Sequence, residues 1–146
     1  MRISDILPLR VGDVTGTHIV VNEKKTGKRK EIKIRKTLRK ELDAYIRNKR
    51  DNEYLFPSRN RNKKLGIDPI CYSTAYKMIK SVSEKFGMND VATHSMRKTF
   101  GYFFYSETKD IAHLMYLFNH SEEKITLRYV GILQDTLDEV LDEFEL

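Results

Sequence analysis

Apolar residues recur at helical spacing through most of the second half of the chain, and this periodicity constrains the fold more than any other feature. Helices are predicted over residues 73–86 and from about His94, and two shorter helical segments lie on either side of the sequence NHS. The helix that begins near His94 is expected to bury the side that carries Met96, Phe100, Phe103 and Phe104. The second half is therefore expected to be helical.

The first half contributes the only predicted β structure. Residues 17–34, THIVVNEKKTGKRKEIKI, contain two β-rich segments around Thr26 and Gly27, which predicts a hairpin with a basic tip. An amphipathic helix is expected over residues 37–50, and residues 51–70 form an irregular connection that contains a basic cluster. The predicted fold class is α+β and mainly α, a helical bundle with a small antiparallel hairpin.

Length and composition indicate a single soluble domain. The chain has 146 residues, of which 40% are hydrophobic and 33% charged, and no apolar run approaches the roughly 20 residues of a membrane helix. A cytoplasmic protein is expected. The single cysteine, Cys71, excludes an internal disulfide and is expected to be a buried or half-buried thiol.

The net charge of +6 hides a strong asymmetry along the chain. The last twelve residues, DTLDEVLDEFEL, hold six acidic and no basic residues, so residues 1–134 carry 27 basic against 15 acidic side chains, or +12. A basic body of this size favours a polyanionic partner, although charge alone does not identify one. The acidic tail, residues 133–146, is predicted to be an amphipathic helix whose apolar stripe is Leu137, Val140, Leu141 and Phe144.

Several polar residues are ambiguous when they are considered singly. His94 and Arg97 are three positions apart and share one side of a helix, which an anion site or a solvated surface explains equally well. Lys25 lies in a basic cluster, and one lysine of such a cluster is usually solvated. His120 and Tyr129 are each as compatible with capping or packing as with chemistry.

Considered together, six residues resemble the active-site set of the tyrosine recombinases, the phage integrase family. His94 precedes His120 by 26 residues, and Tyr129 follows nine residues later. These spacings are typical of the family. The set, in chain order, is Arg2 in MRISDIL, Lys25 in KKTGK, His94 and Arg97 in HSMR, His120 in FNHS, and Tyr129 in TLRYVG.

The resemblance implies a role for each residue type. Arg2 and Arg97 would neutralise the nonbridging oxygens of a DNA phosphate, because a guanidinium makes two-point contacts with phosphate. Lys25 would protonate the leaving 5′ oxygen, and Tyr129 would be the covalent nucleophile. His94 would assist proton transfer at the tyrosine, and His120 would donate to a phosphate oxygen. No cofactor and no metal is implied.

Two positions depart from the family pattern. Asp5 stands where glutamate is commoner, which preserves the carboxylate. Asn119 stands where glycine usually precedes the histidine, so the presentation of His120 depends on the backbone at this residue.

The resemblance covers the whole chain as an N-terminally truncated recombinase catalytic domain, with the opening helices and the N-terminal core-binding domain expected to be absent. The expected partners are double-stranded DNA and further copies in a synaptic tetramer, held in part by the tail helix 133–146. The expected function is site-specific recombination or integration through a 3′-phosphotyrosine intermediate. Two alternatives stay open, a catalytically impaired DNA-binding remnant of an integrase and a type IB topoisomerase.

Overall fold

The predicted hairpin is present, and one of its lysines is buried. Strand β1, His18–Asn22, pairs antiparallel with strand β2, Arg29–Lys33, so that Val21 lies opposite Lys30. Both of these residues are buried, and Lys30 is only 5% exposed. The turn contains Gly27 with φ +66°, a left-handed conformation that glycine adopts without steric cost.

The contacts of the chain divide it into two units. The computed structural model describes residues 1–59 and 68–144, so most of the basic cluster predicted in the irregular connection lies outside the described residues. One unit is Arg2–Asn89, and the other is Asp90–Leu146 together with Met1. The interpretation of the chain as one domain stays a prediction. No helix within the described part of the chain has both the length and the apolar character needed to cross a membrane.

In the described part of the N-terminal unit, one short helix and a 3₁₀ turn precede the hairpin along the chain, and two helices follow it. The helix Lys36–Ile46 ends four residues earlier than the sequence predicts, and none of its residues is buried. Buried apolar residues of this unit come instead from the 3₁₀ turn, from β1, from the helix that begins at Tyr72 and from connecting segments; they are Leu7, Leu9, Val11, Val14, Ile19, Val21, Ile34, Leu55 and Ala75. The elements are α1, Ile3–Ile6; the 3₁₀ turn, Val11–Val14; α2, Lys36–Ile46; and α3, Tyr72–Lys85.

The C-terminal unit is helical, as predicted. Left-handed residues end three of its helices: Lys109 with φ 53°, Asn119 with φ 55° and Gly131 with φ 92°. Such residues stop a helix and let the chain reverse. The helices are α4, Ser95–Thr108; α5, Ile111–Phe118; α6, Glu123–Val130; and α7, Ile132–Glu143.

The core of the C-terminal unit is formed by Leu114, Phe118 and Val130, from α5 and α6. Helix α4 approaches this core through Gly101, where a Cβ atom would lie 2.6 Å from a methyl carbon of Val130 and 2.7 Å from the Phe118 ring. The close approach therefore requires glycine. The predicted buried side of α4 is wrong in three of its four residues, since Met96, Phe100 and Phe103 are exposed and Phe104 packs against the core.

The expectation for Cys71 is also wrong, because its thiol is exposed. Cys71 is the N-cap residue of α3, and its Sγ lies 3.1 Å from Ser73 Oγ and 3.2 Å from Thr74 Oγ1. Hydrogen bonds from these two hydroxyls, aided by the backbone N–H of Thr74, lower the pKa of the Cys71 thiol to about 6. Short hydroxyl residues at the start of a helix, rather than burial, therefore set the chemistry of this cysteine.

Alkylation of Cys71 by iodoacetamide is expected to reach half of its maximal rate near pH 6, because the thiolate is the reacting form and its pKa is about 6. The rate is measured by mass spectrometry across the range from about pH 5 to about pH 9, which spans the ordinary thiol pKa of about 8.5. Thr74→Val removes one hydroxyl donor and should move the midpoint upward. A midpoint near the ordinary thiol value in the unaltered protein would contradict the assignment.

Candidate active site

Four of the six residues that the sequence selects lie in the C-terminal unit, where the structure brings them together. His94 is the N-cap residue of α4, and Arg97 lies in the first turn of that helix. His120 follows the end of α5, and Tyr129 lies in the last turn of α6. All but the exposed His94 are half-buried, and their side chains gather around the buried Phe118.

Phe118 fixes three of these side chains through its ring and its carbonyl group. The Arg97 guanidinium lies 4.2 Å above the Phe118 ring, and its Nη2 donates a hydrogen bond of 3.0 Å to the Phe118 carbonyl. The rings of His120 and Tyr129 meet the same ring edge-on, at centroid distances of 5.6 and 5.5 Å. Phe118 is 2% exposed, so this arrangement is held by the core.

The Tyr129 hydroxyl lies near a ring nitrogen of His94. Its Oη lies 3.5 Å from His94 Nδ1, at the outer limit of a hydrogen bond, although the two residues are 35 positions apart in the chain. The Tyr129 ring packs edge-on against the His120 ring at 5.4 Å, and Lys98 Nζ lies 5.7 Å from the Tyr129 ring centroid. The phenol thus lies beside two imidazole rings and a lysine ammonium group.

A buried threonine determines the tautomer of His120. The His120 Nδ1 lies 3.1 Å from Thr126 Oγ1, and the Thr126 hydroxyl donates a 3.2 Å hydrogen bond to the Glu122 carbonyl. A hydroxyl has one proton to donate, so it must accept from Nδ1–H of His120. The neutral ring then carries its lone pair on Nε2, and Nε2 becomes a donor when the ring is protonated.

Asn119 presents His120 in the way that glycine would. It is left-handed, with φ 55° and ψ 48°, and asparagine tolerates this conformation better than most residues. The backbone N–H of Asn119 donates to the Tyr116 carbonyl at 3.2 Å, and that of His120 donates to the Met115 carbonyl at 3.0 Å. The departure from the family pattern is therefore accommodated by a closed helix end.

The other two selected residues, Arg2 and Lys25, lie in the N-terminal unit, where carboxylates connect Arg2 to the hairpin turn that carries Lys25. Asp5 accepts hydrogen bonds from the backbone N–H of Arg2 at 2.9 Å and of Lys24 at 3.1 Å. Arg2 Nη1 lies 3.4 Å from a carboxylate oxygen of Glu23, at the start of the hairpin turn. Lys25 is exposed in that turn, so the structure places Arg2 beside the base of the turn that carries Lys25.

Three residues that touch the selected set were not identified from the sequence. Phe118 and Thr126 carry only a weak signal. Phe118 ends the apolar run before His120, and Thr126 lies at helical spacing from Tyr129, but neither residue type by itself indicates a reactive site. Glu23 precedes a run of basic residues, which hides the fact that its own side chain is fully buried.

The sequence and the fold both match known recombinases. A sequence model of the phage integrase family matches residues 1–135. The probable integrase/recombinase YoeC of Bacillus subtilis (strain 168) is 44% identical over 137 residues, which are 93% of this chain and 73% of YoeC.

Two solved structures share the fold. The crystal structure of XerA recombinase superposes with a TM-score of 0.70 at 22% identity, over 94% of this chain and 52% of that chain. The crystal structure of XerH site-specific recombinase, bound to a palindromic difH substrate after cleavage, gives a TM-score of 0.67 at 16% identity, over 97% of this chain and 41% of that chain.

The chain thus spans nearly three quarters of YoeC and about half or less of the two solved recombinases. These structures confirm the predicted fold class, a mainly helical recombinase catalytic domain with a small antiparallel hairpin. The family model and the relative from Bacillus subtilis together establish that the chain belongs to the phage integrase family of tyrosine recombinases.

Proposed function

We propose that this chain breaks and rejoins DNA at specific sites through a 3′-phosphotyrosine intermediate, with Tyr129 as the nucleophile. The observation that carries the proposal is the position of the Tyr129 hydroxyl, 3.5 Å from His94 Nδ1 in a cluster that also holds Arg97 and His120. A phenol placed against a base and next to phosphate-binding groups is the arrangement that nucleophilic attack on a phosphodiester requires.

The two arginines would stabilise the charge that builds on the nonbridging oxygens during attack. Arg97 is suited to this role because stacking on Phe118 and the hydrogen bond to the Phe118 carbonyl orient its planar guanidinium. Arg2 forms an ion pair with Glu23, with Nη1 3.4 Å from a carboxylate oxygen. His120, protonated on Nε2, would donate a further hydrogen bond to a phosphate oxygen.

Proton transfers at the two ends of the reaction balance each other. As Tyr129 Oη forms its bond to phosphorus, its proton passes to His94, and the bond from phosphorus to the 5′ oxygen breaks. Lys25 gives a proton to that oxygen, so that a 5′ hydroxyl leaves. In the reverse direction a 5′ hydroxyl from another strand attacks the phosphotyrosine and Lys25 takes its proton, while the bond from phosphorus to Tyr129 Oη breaks and His94 returns a proton to Tyr129. The tyrosyl ester conserves the bond energy, so no nucleotide cofactor is needed.

Double-stranded DNA is the proposed substrate. Residues 1–134 carry a net charge of +12, which favours binding to a phosphate backbone, and the related XerH is solved with its difH substrate bound. Since bacterial DNA lies in the cytoplasm, we place the reaction there.

The proposal is tested with a pool of nicked duplexes of randomised sequence. After cleavage the short fragment that bears the new 5′ hydroxyl diffuses away, so rejoining is prevented and the covalent intermediate is trapped. We expect adducts that survive a denaturing gel, and sequencing of the trapped DNA would identify the preferred site. DNA that is bound but never covalently joined would instead support the DNA-binding remnant and would contradict the proposed reaction.

We also propose that copies of the chain assemble into a tetramer on DNA through helix α7. The apolar stripe predicted for this helix is exposed rather than buried: Leu137 is 49% and Leu141 is 58% exposed, and Val140 and Phe144 are similarly exposed. An apolar stripe of this kind on an otherwise acidic helix favours a protein partner over solvent. A second copy is the partner that strand exchange between two duplexes requires.

Replacing Leu137 and Leu141 together with serine is expected to abolish pairing of two duplexes while leaving binding to a single duplex unchanged, because the substituted side chains face solvent. Complexes with one and two duplexes are separated by native gel electrophoresis and weighed by light scattering. Asp142→Ser on the same helix is the matched control and should behave like the unaltered chain. Paired complexes that persist in the double variant would refute the role of α7.

A further inference from the structure

Glu23 is a buried carboxylate that lies between two cations. Its side chain has no exposed surface, and its two oxygens lie 3.4 Å from Arg2 Nη1 and 3.4 Å from Lys30 Nζ. The oxygen near Arg2 also accepts a hydrogen bond of 2.8 Å from the Thr26 hydroxyl. Two positive charges and one hydroxyl therefore converge on one carboxylate inside the N-terminal unit.

The backbone of Glu23 closes the turn that carries Lys25. Its carbonyl accepts hydrogen bonds from the N–H groups of Thr26 at 3.3 Å and Gly27 at 2.8 Å, and its own N–H donates to the Lys28 carbonyl at 3.0 Å. Glu23 is thus hydrogen-bonded to both ends of the turn and forms an ion pair with the guanidinium of Arg2. Asp5, by contrast, accepts hydrogen bonds from the backbone N–H groups of Arg2 and Lys24 and from the Ser4 hydroxyl.

Glu23 is ionised at neutral pH. Burial raises the pKa of its carboxyl, but the hydrogen bond from Thr26 and the positive charges of Lys30 and Arg2 outweigh burial and hold the pKa below its ordinary value. A buried ion pair of this kind is weak evidence for stability, since apolar residues of similar volume often serve the fold as well. The cluster is better explained by what it orients.

We propose that Glu23 is a positioning residue for DNA cleavage, which orients the Arg2 guanidinium toward the phosphate and holds the turn that presents Lys25 to the 5′ oxygen. The proposal rests on the proposed function, because it assigns Glu23 to the same reaction. Through Arg2 it acts on the charge of the phosphate oxygens, and through the turn it acts on protonation of the leaving group.

The effect through Arg2 and the effect through Lys25 are distinguished by comparing two substrates that differ in their leaving group. One duplex carries the ordinary 5′ oxygen at the scissile phosphate, and a second carries sulfur in its place. A thiolate departs without a proton, so a defect in Lys25 disappears with sulfur, whereas a defect in Arg2 remains. Lys25→Ala and Arg2→Ala supply these two reference patterns on a duplex selected from the randomised pool.

For Glu23→Ala we expect a cleavage rate on the order of 10²-fold lower with the oxygen substrate, because small misplacements of catalytic groups have effects of that size. The deficit should shrink with the sulfur substrate without vanishing, since both Lys25 and Arg2 are displaced. Glu23→Gln keeps the side-chain shape and should show the same pattern with smaller deficits. Rates are measured in single turnover, so that a loss of folded protein lowers the amplitude and leaves the rate unchanged.

Glu31→Gln, which makes the same charge change on the exposed side of β2, is the matched control and should stay within about twofold of the unaltered chain. Rates of both Glu23 variants that match this control would overturn the positioning role, and equal deficits with both substrates would overturn the part of it that acts through Lys25. If the unaltered chain formed no adduct with either substrate, the proposed function itself would fail, and the role of Glu23 would fail with it.

Discussion

Tyr129→Phe is expected to eliminate the covalent protein–DNA adduct completely. Phenylalanine has no oxygen to attack phosphorus, and removal of a covalent nucleophile lowers rates by on the order of 10⁶-fold in well-studied enzymes. Binding should persist, because the phenyl ring of the substituted side chain can keep the edge-on contacts that Tyr129 makes with Phe118 and His120. The adduct is measured on a denaturing gel with the nicked duplex pool, and binding is measured by fluorescence anisotropy.

Tyr105→Phe is the matched control for this change. Tyr105 is half-buried and packs against the same core as Tyr129, so the two variants lose the same atom from similar surroundings. We expect Tyr105→Phe to form adducts at the rate of the unaltered chain. An adduct that persists in Tyr129→Phe would show that another residue is the nucleophile and would remove the central assignment.

The elements of the fold could be predicted because their signals are local. The hairpin follows from a turn pair between β-rich segments, and helices α3 to α6 follow from apolar spacing and from the residues that interrupt it. Periodicity does not identify which side of a helix is buried when several sides carry large apolar residues. In α4, Gly101 determines which side of the helix is buried, because its missing side chain lets the helix approach Phe118 and Val130.

The candidate site was predicted as a set of residue types, but its supporting contacts were not. The contact between Arg97 and the Phe118 carbonyl joins residues 21 positions apart, and only the tertiary fold brings them together. Lys30 carried a usable signal, since it lies on the same side of its strand as Ile32. A buried lysine needs a partner, and only the structure shows that Glu23 is the partner of Lys30.

Arg97→Lys is expected to lower the cleavage rate on the order of 10²- to 10³-fold while binding changes little, because one oriented donor to the transition state is lost and the charge is kept. The Arg97 guanidinium stacks on the Phe118 ring and donates to its carbonyl at the same time. An ammonium group is a point charge and cannot do both while also making two-point contact with phosphate. The rate is the single-turnover rate of adduct formation.

Arg128→Lys makes the same exchange on the exposed surface of α6, one residue before Tyr129, and is the matched control. Because an exposed arginine in this position is solvated, its replacement should leave the rate within about twofold of the unaltered chain. If Arg97→Lys cleaved as fast as this control, positive charge alone would be sufficient at residue 97. The orientation that Phe118 imposes on Arg97 would then serve packing, and phosphate stabilisation would have to come from other donors.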